Sequence, residues 1–157
     1  MDYELLEKSI RHFPNYDFHF VGRILEQESV DRLSKFKNVA FFGSKQPQEL
    51  VKMMSAFDVA IIPFVKNEFT RNIYPLKINE YLAAGLPVVS TDFSDLTDFK
   101  EVISIADQKD FTSKLSIVIA DQQDASLSRI QMAKSNDWSA RAEQFEKILS
   151  KVGYEAA

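Results

Sequence analysis

The chain contains no cysteine, which removes disulfide staples, thiolate metal sites and cysteine nucleophiles together and fits a reducing compartment. Only four glycines occur and none follows the spacing G-x-G-x-x-G, so the dinucleotide-binding fingerprint is absent. No apolar run approaches the roughly 20 residues of a membrane-spanning helix. The opening Met1-Asp2-Tyr3-Glu4 offers neither the basic nor the apolar stretch of a secretory leader. Positive charge is also scarce: 19 Lys and Arg stand against 23 Asp and Glu, a net charge of -4. Binding along a nucleic-acid backbone, which needs many cations, is therefore disfavoured. A small anion, which a few N–H groups and one or two cations can hold, is not. These absences lead to the expectation of a soluble, cytoplasmic protein without nucleic-acid partners.

What is present is apolar mass in short runs. The 157 residues include thirteen Phe and five Tyr, with 45% hydrophobic and 27% charged residues, enough for one domain with a sizeable core. Leu6 and Ile10 lie on one helical stripe that Pro14-Asn15 ends. Residues 17–22 and 38–43 read as strands, each closed by glycine. Pro47 opens a helix to about Phe57. The run Val59-Ala60-Ile61-Ile62 is continuous rather than alternating, as in a strand covered on both faces, and Pro63 marks its end. A polar loop from Val65 to Ile73 leads to a helix from Pro75 to Gly85, where glycine suits a left-handed cap. Residues 87–91 and 102–105 read as the last strands. Phe111 to Ile119 is helical, and 126–152 forms one or two further helices with a break at Asn136-Asp137, Trp138 anchoring this segment to the domain. The final residues, 153–157, are expected to fray.

Alternation of this kind predicts an α/β fold, a parallel sheet with helices on both faces, whose ligand lies beyond the carboxyl ends of the strands. Those ends are Gly22-Arg23, Gly43-Ser44-Lys45, the stretch from Phe64 to Asn72, and Ser90-Thr91-Asp92. The densest signal is the stretch from Asn72 to Val89, NIYPLKINEYLAAGLPVV. A helix starting there turns its free N–H groups and positive dipole end toward a diphosphate. Pro75 at the first helical position wastes no donor, and Lys77 adds a cation in the same turn. Glu80 lies five residues past Pro75, about 7.5 Å along the axis, a suitable distance for its carboxylate to accept from both hydroxyls of a ribose.

This stretch resembles the C-terminal, donor-binding domain of GT-B glycosyltransferases, in particular the retaining family 4 group and its subset with PLK, EYLAAG and PVV at fixed spacing. Residues 2–22 and 38–64 and the helix-rich tail share the resemblance. It implies a single Rossmann-like domain over 1–157, with 126–152 packing on it, as part of a two-domain enzyme. It also implies that the family's usual first strand, central in its sheet, and the N-terminal acceptor domain are not within this chain. Glu80 matches the second glutamate of the family's E-x7-E motif, the ribose ligand. Asn72 stands where the first glutamate would fall; it can bond a sugar hydroxyl but brings no charge. Leu76 and Lys77 match backbone positions near the phosphates, Ser44 and Lys45 the loop near the base, and Arg71 and Arg23 are basic or polar candidates for the same site. The implied activity is retaining transfer of a hexosyl-type sugar from a nucleotide diphosphate sugar to a glycan or lipid-linked acceptor. Polysaccharide biosynthesis at the inner face of the membrane, with peripheral attachment of the parent enzyme, follows from the same likeness. No cofactor or metal is expected, no catalytic residue is assigned within this chain, and alone it is expected to bind without catalysing.

Competing readings are weaker. A receiver domain needs an acidic cluster at its first strand and a strand-ending phosphorylatable Asp, and neither is evident. Asp92, Asp95 and Asp98 follow a strand among Ser94 and Thr97, where turn roles dominate. His12 and His19, on a helix end and in an aromatic strand, read as structural. A non-catalytic nucleotide-sugar-binding module is the main alternative.

Overall fold

The computed structural model describes residues 1–25, 27–121 and 123–151. The apolar runs become short parallel strands: β1 Phe18–Phe20, β2 Val39–Phe41, β3 Ala60–Ile62, β4 Val88–Thr91 and β5 Ser104–Ala106. β1 pairs with β2, and β3, β4 and β5 form a second parallel group in that order. Between them run α1 Tyr3–His12, α2 Gln27–Leu33, α3 Pro47–Met54, α4 Glu68–Arg71, α5 Leu76–Ala83, α6 Phe111–Ala120, α7 Ser126–Ser135 and α8 Trp138–Lys151.

Successive strand residues point to opposite faces, and β4 is buried at every position. Val88 joins a cluster with Ile62, Ile78, Leu82, Phe93 and Phe99 beneath α5 and α7. Val89 joins the opposite cluster, with Leu6, Ile10, Phe18, Phe111 and Leu115 beneath α1 and α6. The continuous apolar runs are thus explained by helices on both faces.

Gly85 closes α5 as expected. Its φ is +76°. The Leu86 N–H reaches the Tyr81 carbonyl (3.1 Å) and the Gly85 N–H the Leu82 carbonyl (2.9 Å), the paired bonds of a Schellman end. A Cβ here would also lie 3.2 Å from Ser126 Cβ on α7. Gly85→Ala is therefore expected to cost about 1–2 kcal/mol from the left-handed backbone alone, read as a lower urea midpoint.

Four local expectations change. α2 and α4 were not anticipated, because α2 buries only Leu33 and α4 nothing, leaving little apolar stripe to read. α4 is made by polar capping instead: Asn67 Oδ1 accepts from the Thr70 N–H (2.8 Å) and Thr70 Oγ1 from the Asn67 N–H (3.0 Å). The last strand starts two residues later than expected, because the N–H groups of Val102 and Ile103 both turn back to the Phe99 carbonyl. Pro75 is the cap of α5 rather than its first turn, with φ -83° and ψ 68°. Trp138 is 83% exposed and anchors nothing, since it begins α8 on the solvent side of the break. No described residue of α8 is buried. Arg141 ties it instead, donating to Asn136 Oδ1 (2.6 Å) and Tyr74 Oη (3.4 Å). α7 does pack, burying Ala133 in the core. Val152 and the expected frayed tail at 153–157 lie outside the described residues.

Candidate functional site

The carboxyl end of β3 is tied to the end of β4 by one buried hydroxyl. Thr91, 1% exposed at the end of β4, accepts the Phe64 N–H (3.1 Å) and donates to the Phe64 carbonyl (2.7 Å). This clamps the start of the loop that carries α4 and leads into α5. Thr91→Val keeps the shape but leaves the Phe64 N–H unpaired, and is expected to cost about 1–3 kcal/mol, measured by urea unfolding. Beside it Lys66 Nζ lies 2.5 Å from Asp92 Oδ2, joining the loops after β3 and β4. Thr91 and Lys66 fall in stretches read from sequence as the ligand-side strand ends, without an assigned role, but only the fold shows that Thr91 meets Phe64 and Lys66 meets Asp92.

Within α5 the central pair forms. Lys77 Nζ is 2.6 Å from Glu80 Oε2, three residues on, with the side chains 57% and 45% exposed. Both groups are within reach of a ligand, and a surface pair of this kind is worth at most about 1 kcal/mol. The helix start is less open than a free first turn. The Leu76 N–H donates to the Tyr74 carbonyl (2.9 Å) and the Ile78 N–H to the Pro75 carbonyl (2.9 Å), because Pro75 bends the chain tightly before the helix begins. The Lys77 N–H alone of these three has no partner among the described residues. Tyr81, next to Glu80, has its phenol pushed up by burial, with the Glu80 charge adding to this and Lys77 opposing it. It remains a neutral group.

The other candidates divide. Asn72 caps the end of α4, and its Nδ2 donates to the Glu68 carbonyl (3.0 Å). Its Nδ2 is therefore already engaged with the loop. Arg71, in the last turn of α4, is exposed, as are Arg23 after β1 and Ser44 and Lys45 after β2. None of these four has a side-chain partner among the described residues. They share the strand-end side of the fold, but no contact joins them to Lys77 and Glu80.

The remaining polar residues take structural roles. His12 packs edge-on to Phe13, and His19 to Phe42 and Phe57. Asp95 accepts from the Thr97 N–H and hydroxyl (3.1 and 2.6 Å), a turn that lowers its own pKa. Among the described residues no helix is long and apolar enough to cross a membrane.

Comparison with known proteins bears on the family and the fold. The chain is 24% identical over 156 residues to the putative teichuronic acid biosynthesis glycosyltransferase TuaH of Bacillus subtilis (strain 168), covering 94% of this chain and 39% of that protein. Its fold matches the crystal structure of AviGT4, a glycosyltransferase involved in avilamycin A biosynthesis, with a TM-score of 0.68 at 15% identity, over 93% of this chain and 48% of that one. The chain thus spans less than half the length of each. The model of the glycosyl transferases group 1 family matches residues 3–121. An α/β fold of parallel strands between helices, a GT-B-like architecture and this family match agree: the chain belongs to the glycosyl transferases group 1 family.

Proposed function

We propose that this chain is the donor-binding part of a glycosyltransferase that moves a sugar from a nucleotide diphosphate sugar, with retention, to a glycan or lipid-linked acceptor. The observation that carries this reading is the Lys77–Glu80 pair on the first turns of α5, at the carboxyl end of the sheet. Glu80 would accept from the ribose hydroxyls, while Lys77 and its N–H would turn to the diphosphate. During transfer, charge builds on the leaving diphosphate, and a cation and an N–H already in place stabilise it without reorganisation. Arg71 and Arg23 are the further cations on this side. Ser44 and Lys45 lie where a base could rest on their backbone.

Nothing in this arrangement positions an acceptor hydroxyl or removes its proton. The acceptor is assigned to a separate N-terminal domain, and this chain alone is proposed to bind without transferring. No metal or cofactor is invoked, since Lys77 and the helix start provide the positive charge. By analogy with teichuronic acid biosynthesis in the relative named above, the acceptor would be a growing surface polysaccharide at the cytoplasmic face of the membrane.

A second reading, a non-catalytic nucleotide-sugar-binding module, is favoured by Asn72, which carries no charge and whose Nδ2 already donates to the Glu68 carbonyl. Calorimetric titration of the chain with UDP, GDP and ADP tests the shared part of both readings: one nucleotide should bind in preference to the others. A transfer assay on a protein containing both this chain and an acceptor domain separates them, since the module would bind the donor without turnover.

A further inference from the structure

α8 is the least embedded helix of the candidate-site side. None of its described residues is buried, and Trp138, Phe145 and Ile148 are 83%, 61% and 58% exposed. A helix of 14 residues is marginal in water by itself, so its few tertiary contacts decide whether it stays seated. Among the described residues, its polar contacts beyond the adjoining Asn136-Asp137 all come from Arg141. That guanidinium donates to Tyr74 Oη at 3.4 Å and lies 3.9 Å from Asp98 Oδ2.

Tyr74 is where this tie reaches the helix that carries Lys77 and Glu80. Its carbonyl accepts the Leu76 N–H at the start of α5 (2.9 Å). Its phenol oxygen accepts from Asn79 Nδ2 (3.2 Å), and Asn79 directly precedes Glu80. Tyr74 therefore holds α5 twice, by its backbone at the first residue and by its side chain about one turn later. The ring has a fixed base in the buried Phe99, centroids 6.5 Å apart. The Asn79 amide depends on that phenol. Its Nδ2 has no other partner among the described residues, and its Oδ1 is buried with none. Loss of the hydroxyl would leave the whole amide unpaired, which a partly buried polar group resists by moving.

We propose that Tyr74 and Arg141 are positioning residues for α5: the seating of α8, passed through the phenol, fixes the first turn of α5 and with it the placement of Lys77 and Glu80. Neither side chain has to touch the ligand. The effect on affinity rests on the donor-binding reading; the effect on α5 rests on the contacts alone. By linkage the coupling is reciprocal, so a ligand that draws on α5 also acts on α8.

Two measurements test this on the chain with Tyr74→Phe, Arg141→Ala and both together. Tyr74→Phe keeps the ring against Phe99, and Arg141→Ala removes no buried side chain. In amide hydrogen exchange, each single variant is expected to speed exchange at Leu76 and Ile78 about threefold to tenfold, the range for one lost hydrogen bond. Adding Arg141→Ala to Tyr74→Phe should change nothing further, because Arg141 reaches α5 only through the hydroxyl. Faster exchange in Arg141→Ala confined to α8 would overturn the proposal, since Arg141 would then hold only its own helix. The second readout is Trp138, the single tryptophan of the chain, at the start of α8. Saturation with whichever of UDP, GDP or ADP binds should change its fluorescence anisotropy in the wild-type chain and leave it unchanged in Tyr74→Phe. The same change in both would also overturn the proposal. If the wild type binds none of the three, the donor reading fails separately, and the exchange result decides the coupling.

Discussion

Glu80→Ala is expected to weaken nucleoside diphosphate binding tenfold or more, the loss of a charge-assisted hydrogen bond worth about 1.5–3 kcal/mol. The side chain is 45% exposed and, among the described residues, its only ion-pair partner is Lys77, so its removal should leave stability within about 0.5 kcal/mol of wild type. Binding and folding are thereby separated in one variant. Because the unliganded pair is half exposed, releasing Glu80 from Lys77 costs little, and most of the lost affinity would report on the ligand itself. Glu80→Gln, which keeps an acceptor but no charge, should fall between the two. The measurement is calorimetry with the nucleotide that wild type prefers. Wild-type affinity in Glu80→Ala would remove the carboxylate, and with it the ribose assignment, from the site.

Phe93→Ala is expected to have the largest effect on stability, about 3–5 kcal/mol, a large part of the 5–15 kcal/mol typical of a folded domain. Phe93 follows β4, is fully buried, and meets the Phe64 ring edge-on with centroids 4.9 Å apart. Its cluster includes Ile78 and Leu82, the buried face of α5, so the cavity would open directly beneath the helix that carries Lys77 and Glu80. Phe64, held to Thr91, begins the loop to α4, and losing its ring partner should loosen that loop as well. Urea unfolding gives the cost. Phe69→Ala is the control: at 78% exposed it should change stability by no more than about 0.5 kcal/mol. A Phe93→Ala variant as stable as that control would mean the ring is not the keystone of this cluster.

Much of the architecture was legible because the physics behind it is local. Val88 and Val89 are both buried, which a continuous apolar run requires and an alternating one forbids. Gly85 with Leu86-Pro87 behind it announced a left-handed helix end, and the structure has one. α4 was hidden because its stability comes from the Asn67–Thr70 exchange of hydrogen bonds rather than from an apolar stripe. Trp138 misled for a related reason: a large aromatic suggests burial, but at the first residue of α8 it has nothing to pack against.

The candidate site shows the same division. Lys77 and Glu80 are three apart on one helix, so their meeting could be read from spacing alone. Thr91 and Phe64 are 27 positions apart and Lys66 and Asp92 are 26 apart, and no periodicity links such pairs. Likewise Pro75 was rightly placed at the helix boundary, but only the fold shows that it is the cap, and that the Leu76 and Ile78 N–H groups are consequently taken.

By itself the sequence determined the α/β class, the parallel strands, the family likeness and the helix bearing Lys77 and Glu80. Each of these follows from residue type and from contacts a few positions apart, where period and side-chain shape leave little choice. Only the tertiary structure decided that Asn72 is engaged at the end of α4 and that Thr91 clamps the β3 loop. Those depend on which distant backbone groups come within hydrogen-bond reach, and that is set by how the elements pack rather than by any segment alone.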